Sequence, residues 1–384
     1  MTSQEMKVVG HIDLDGQGDL MHVNVVEGIA YVGHMGYNHL GTSIVDVSDP
    51  KQPRLITQIL RPPGTHSHKV QVQGSILLVN HERNRFEDSP PSWSAGMAIY
   101  DTSNLAHPQQ IGFYPTPGIG VHRMVWWEGS LAYVSGTDHG YEGRFLQIVE
   151  LSDPSEPKEV GRWWYPGQHR AGGESADWAR LGDPVDEPRQ FNLHHALPYG
   201  NRLYCGYWDG GLVVLDIADP TQPRLVSQLE FGPESRNTHT AQRLPGREIV
   251  VVTDEQLTRW IGVQRHVWIV DVTDETRPEV VSRLPVPTGS RHHEGIRWGP
   301  HNLHEMKPGS FIDPNLIFLT YFAGGLRAYD LSDPAHPVEV AHLVPPPPAG
   351  RDSIQFNDVL RTADGLVYVT DRHGDGLYVV DPGL

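Results

Sequence analysis

Apolar and polar residues alternate with a period of two along most of the chain. The stretch LMHVNVVEGIAYVGH at 20–34 shows the unit: two alternating runs joined by a Glu-Gly turn. Such alternation predicts strands with one buried face, and a glycine turn between two of them predicts a hairpin. A third apolar run ends on an acidic residue, a Ser/Asp/Pro turn reverses the chain, and a fourth run follows, as in SIVDVSDPKQPRLITQI at 43–59. The same spelling returns at 98–114, 147–163, 213–229, 268–284 and 327–343, and a seventh copy, YVVDPGL, begins at 378. Taking Asp46, Asp101, Glu150, Asp216, Asp271, Asp330 and Asp381 as equivalent, the intervals are 55, 49, 66, 55, 59 and 51 residues.

Four antiparallel strands per repeat, arranged radially, predict an all-β, seven-bladed β-propeller spanning 1–384 as one domain. The last copy lacks its fourth strand, while the chain opens with an orphan strand, MKVVGHIDL, that resembles PKEVGRWWY at 157–165. Residues 7–14 are therefore expected to complete the seventh blade and close the ring. The longest insertion, 165–190, reads as a lid between blades 3 and 4.

Composition narrows the class of partner. With 30 Lys and Arg against 47 Asp and Glu, the formal charge of −17 disfavours nucleic acid and anionic membrane surfaces, and a small-molecule substrate is expected instead. The N-terminus carries no apolar signal-like segment and no run reaches 18 apolar residues, so a cytoplasmic location is expected. The oligomeric state is not legible. The one cysteine, Cys205 in an apolar strand, reads as a buried inert thiol.

The chemistry lies in the histidines. Registering the repeats places His22, His66 and His68, His122, His194 and His195, His239, and His304 just ahead of the channel-lining first strands, with Asn357 and Asp358 at the seventh. Neutral imidazoles converging on an axis make a transition-metal site. The expected ligands are His68, His122, His239 and His304, with His194 or His195 competing; Fe(II) is favoured over Zn or Mn. A histidine at a strand start can instead simply bond a neighbouring carbonyl, and repeat ancestry can copy such a residue around the ring. Glu305 and Glu174 are candidates to orient ligands, Glu174 also to act as a general base if Trp163 and Trp164 raise its pKa. Asp358 marks an open side for water or substrate, and Arg170, Trp208 and His66 are candidate substrate contacts. Arg291, His292 and His293 are expected at the rim. No GxSxG, P-loop, HExxH or CxxC motif occurs.

The repeats resemble the LVIVD-repeat family of seven-bladed propellers. The segments WWYPGQHRAGGE (163–174), THTAQRLPGREIVVVTDE (238–255), GPHNLHEMKPGSF (299–311) and NDVLRTADGLVYVTDRHGDGLYVV (357–380) look like one bacterial branch of it. That resemblance implies the fold and little about chemistry. The expected arrangement of four histidines in a seven-bladed propeller is also similar, in architecture only, to the carotenoid-cleaving oxygenases. It suggests a non-haem iron oxygenase acting on a small aromatic or alkene substrate. A metal-dependent hydrolase, lyase or isomerase is the alternative within enzymes, and a non-catalytic scaffold for a protein partner is the alternative outside them.

Overall fold

The computed structural model describes residues 3–87, 92–175, 178, 189–232, 235–258, 261–287, 289, 291, 294 and 296–384. Seven sheets surround a channel. Blade 1 has strands Leu20–Val26, Ile29–His34, Leu40–Asp46 and Arg54–Leu60, each antiparallel to the next. Blades 3, 4, 5 and 7 repeat this order from inner strands Val121–Val125, His195–Tyr199, Thr238–Arg243 and Phe356–Arg361. Blade 2 splits its inner strand into Thr65–His66 and Val70–Gln73. Blade 6 has only a short inner segment, tied to Leu316–Thr320 through His301 N to Thr320 O, Thr320 N to Asn302 O and His304 N to Phe318 O. The described residues also hold one short 3-10 turn, Arg170–Gly172.

The ring closes as the sequence predicts: Lys7–Ile12 pairs antiparallel with Gly376–Asp381 and supplies the outer strand of blade 7. An unpredicted addition is the two-residue strand Gln4–Glu5, which runs parallel to Val338–Leu343 at the edge of blade 6.

The repeat signature has a local cause. In all seven copies the acidic residue accepts the backbone N–H two residues on, at 2.7–3.0 Å, which is an Asx-type turn. These carboxylates therefore shape turns. Each blade's outer strand carries a bulge, and there the small residues Gly10, Gly112 and Gly161 press against the proline turn of the next blade. A Cβ on Gly10 would stand 1.8 Å from the Pro50 carbonyl oxygen, so the glycine is required by contact rather than by backbone conformation. Between blades the alternate apolar residues interlock; Leu78, Met97 and Ile99 of blade 2, for instance, pack on Val121, Met124 and Val134 of blade 3. No helix among the described residues is long and apolar enough to cross a membrane.

Candidate functional site

Inner strands alternate, so one residue in two should face the channel. The structure departs from that rule where it matters. Blades 1, 3, 5 and 7 each carry a β-bulge at the channel mouth, centred on Met21, His122, His239 and Asn357. A bulge sets two consecutive residues opposite one, which aims both into the channel. Two stacked layers result. The upper one holds His68, His122, His194, His239 and His301 from five successive blades, and their rings follow one another at centroid distances of 5.0, 4.7, 3.8 and 4.4 Å. His66 stacks on His68 at 3.9 Å, and Phe322 ends the series against His301 at 4.5 Å.

Burial keeps these rings neutral. Desolvation is the leading cause at each, lowering His122 to about 3 and holding His68, His194, His239 and His301 well below the ordinary imidazole range. A neutral ring carries one proton, and its neighbours decide which nitrogen holds it. The Glu82 carboxylate lies 3.0 and 3.1 Å from His122 Nδ1 and 3.2 Å from His66 Nδ1, so it accepts from both N–H groups and leaves both Nε2 atoms bare. Burial alone would raise Glu82, but the His122 and His66 rings beside it hold it well below the carboxylate range. His301 Nδ1 donates to the Asn357 carbonyl at 2.6 Å, which bares its Nε2 as well.

A longer relay fixes His239. His195 Nε2 lies 3.2 Å from Glu305 Oε1, off the line of a hydrogen bond, and the carboxylate's charge favours the proton on that nitrogen. Its Nδ1 then accepts from Thr240 Oγ1 at 3.1 Å, and that oxygen in turn accepts from His239 Nδ1 at 2.8 Å. His239 Nε2 is left with a free lone pair and, like His66 Nε2, His68 Nε2 and His194 Nδ1, it is buried without a hydrogen-bond partner. Buried unpartnered nitrogens cost free energy unless something else binds them. His122 Nε2 and His194 Nε2 approach to 2.9 Å, and candidate ligand atoms of His194, His239 and Glu255 lie within 4.8 Å of one another. His66, His68 and Glu82 form a second such group. The donor set of imidazole and carboxylate fits a divalent transition metal.

Several sequence expectations land elsewhere. His304 is outside the ring: its Nε2 donates to the Phe311 carbonyl at 2.8 Å and its Nδ1 accepts from Arg361 N at 3.0 Å, so both nitrogens are used between blades 6 and 7. The first histidine of GPHNLHE, His301, takes the ring position, because backbone pairing to Thr320 sets the register there and the likeness of NLHE to NLHH misaligns it by three residues. His195 and Glu305 lie in the lower layer, where Glu305 also accepts from Arg123 Nη2 at 2.8 Å and Trp127 Nε1 at 3.1 Å. His22 Nδ1 accepts from Val70 N at 3.3 Å, and its Nε2 faces Asp358 at 3.6 Å. Asp358 accepts from Val23 N at 2.9 Å and Asn357 Nδ2 donates to Met21 O at 2.6 Å, so this side is tied shut rather than open.

Glu174 is not a raised-pKa base. Desolvation pushes it upward, but the Trp164 indole and the N–H groups of Gly167 and His169 outweigh that and lower it. It organises its own loop, where Arg170 is spent on Glu142. No described residue of 165–190 lines the channel pocket; 176–177 and 179–188 lie outside the described residues, as do His292 and His293. Arg291 pairs with Glu294. Cys205 is buried and its thiol is pushed up by desolvation, as an inert residue requires.

Above the imidazoles a pocket of about 370 Å³ opens to solvent. Its lining adds Arg85, Arg144, Arg297, Arg372, Lys69, Glu255 and Trp208. Burial is the first cause that depresses Arg297 to about 9, Arg144 to about 10 and Lys69 to about 7. Arg297 Nη2 donates to Glu255 at 2.7 Å. A larger cavity, about 490 Å³, lies at the opposite mouth around Trp126, Trp127 and Pro308, but it brings together no cluster of imidazoles. Sequence reasoning missed Glu82, Glu255, His301 and the arginines. The polar run NHERNR after an apolar strand was the available signal for Glu82 and Arg85.

Comparison with known proteins agrees on the fold. The LVIVD repeat matches residues 17–60, 120–164 and 198–230, which are blades 1 and 3 and most of blade 4. No curated protein sequence matches the chain. Among solved structures, the Pseudomonas aeruginosa periplasmic gluconolactonase PpgL is similar with TM-score 0.62 at 13% identity, over 92% of this chain and 96% of that one. Chaetomium thermophilum Raptor is similar with TM-score 0.62 at 10% identity over 99% of this chain, which spans 30% of the Raptor chain. The β-propeller domain of Myceliophteria thermophila Cps50 (Swd1) is similar with TM-score 0.59 at 10% identity, over 98% and 99% of the two chains. At these identities the likeness is one of fold alone.

Proposed function

We propose that the chain is a metal-dependent enzyme whose ion is held at the channel mouth by His122, His194, His239 and Glu255, and whose substrate enters through the pocket above them. The observation that carries this reading is the pair of buried, unpartnered ring nitrogens His194 Nδ1 and His239 Nε2 grouped with the Glu255 carboxylate, with His122 Nε2 2.9 Å from His194 Nε2. A resident divalent ion would supply Lewis acidity and lower the pKa of a bound water. The chain's own residues do the rest. Glu82 and the Glu305–His195–Thr240 relay hold His122 and His239 with their Nε2 atoms bare. Arg297 fixes the Glu255 carboxylate. Lys69, whose ammonium burial brings to about 7, can take or release a proton at Nζ on the pocket wall.

Within enzymes, the arginine-rich lining supports hydrolysis, elimination or isomerisation of a polar substrate more than oxidation of an apolar one. A gluconolactonase shares the fold, which supports only the capacity of such a propeller to host hydrolysis. Because imidazole suits Zn, Cu, Fe and Ni alike, the donor set is also compatible with an oxygenase form, Fe(II) activating dioxygen. Metal analysis of untagged protein tests the proposal. The expected result is about one transition metal per chain, lost in a folded His122→Ala/His239→Ala variant. Metal-free protein from a chelator-free, anaerobic preparation would overturn it and favour a protein-docking scaffold. Iron together with substrate-dependent oxygen uptake would select the oxygenase form.

A further inference from the structure

The pocket's charge is out of balance with the chain that carries it. The protein has a formal charge of −17, yet Arg85, Arg144, Arg297, Arg372 and Lys69 line one small cavity in which Glu255 is the only carboxylate among the described residues. Arg297 is neutralised by Glu255. Arg372 donates to the Met35 sulfur at 3.1 Å and to the Asn357 amide oxygen at 3.5 Å and lies beside the Tyr37 hydroxyl, with no ion pair among the described residues. Arg144 is the most exposed in the energetic sense: its Nε and Nη2 are buried without a partner, and its guanidinium lies over the Trp208 ring at 5.0 Å. Trp208 is itself held at φ +26°, a left-handed conformation that costs free energy in a bulky residue, and its indole N–H is also unpartnered.

Cations gathered in a partly desolvated cavity repel one another, and an ion bound below would add to the excess. We propose that Arg144, with Arg372 and Arg85, forms an oxyanion subsite, and that the substrate presents a carboxylate or phosphate head to it while its body lies against Trp208. This deepens the metal-enzyme reading and rests on it for the catalytic step, but the anion site itself needs no metal. A guanidinium fork suits the two oxygens of such a head, and neighbouring donors at different depths leave room for a single small anion.

The test is calorimetric titration of the full chain with benzoate and, separately, with inorganic phosphate, in metal-free and metal-loaded forms at low salt. At least one of the two binds in both forms, the better binder identifying the head group, and affinity falls as ionic strength rises. Arg144→Gln weakens binding about 10–100-fold, the scale of one charge-assisted hydrogen-bond pair. The same variant melts at a higher temperature than the wild type, because it removes an unpaired buried charge; a lower melting temperature would assign Arg144 a structural role and overturn the inference. Arg85→Gln, on an exposed side chain, weakens binding about threefold or more and keeps the test readable should Arg144→Gln fail to fold. Absence of binding by either probe in both forms, or unchanged affinity in both variants, also overturns it. Oxyanion binding without metal uptake would leave this subsite standing and remove the metal reading; metal uptake without oxyanion binding would do the reverse.

Discussion

Replacing Glu82 with glutamine isolates the orientation of the ligands from their presence. The carboxylate accepts from His122 Nδ1 at 3.0 and 3.1 Å and from His66 Nδ1 at 3.2 Å. An amide has one oxygen and one NH2: with the oxygen at the Oε1 position it still accepts from His66 Nδ1 but turns a donor toward a second ring, His122, whose Nδ1 faces the Oε2 position at 3.0 Å. That second ring relieves the donor–donor contact by moving its proton to Nε2, which removes the lone pair a metal would use. A change that displaces the oriented partner of a metal-binding histidine costs about 10–100-fold in affinity, or about 1.4–2.7 kcal/mol. The side chains are nearly isosteric, so the fold survives with a stability change of about 1–3 kcal/mol from the rearranged buried hydrogen bonds. Competition titration of Zn²⁺ against a chelating dye, on wild type and Glu82→Gln matched by circular dichroism, reads the effect. An unchanged dissociation constant in the folded variant would refute the claim that Glu82 sets the tautomers.

Three further outcomes follow from the same geometry. His239→Ala lowers metal affinity, whereas His304→Ala keeps the metal and loses about 1–3 kcal/mol of stability by stranding the Arg361 N–H and the Phe311 carbonyl; metal content and thermal melts of the pair check this. Acid unfolds the protein through its imidazoles. His122, His195 and His304 are lowered to about 3, 3 and 4, so their contribution is complete above an unfolded pKa of about 6.5 and is lost as pH falls, because only the unfolded chain takes up the protons; stability drops by at least about 4 kcal/mol between pH 7 and pH 5, read as urea midpoints. Two buried carboxylates, Asp254 and Asp371, both raised to about 6, first by desolvation, oppose this trend without reversing it. Finally, Gly10→Val drives a side chain into the Pro50 carbonyl and lowers the melting temperature sharply, more than the same substitution at Gly16, where nothing lies within 4 Å and the cost is that of the left-handed backbone alone, φ +76°.

What the sequence alone determined is the part of the structure governed by local rules. Period-two alternation, the Asx turn after each blade's third strand and the orphan first strand are properties of short segments, and they specify blade number, strand order and closure. The same local regularity placed imidazoles at one mouth of the channel. Which of them face a common space was decided by tertiary structure, because bulges at His122 and His239 override alternation and the pairing of 301–304 with Leu316–Thr320 chooses His301 over His304. Glu82, Glu255 and the arginines reach the site from loops on different blades, at sequence separations that carry no periodic signal. Tautomers are further still from the sequence, since the proton on His239 depends on a chain of contacts running through Thr240 and His195 to Glu305. A repeat spells its own strand, but a hydrogen bond across the channel exists only once the ring has closed.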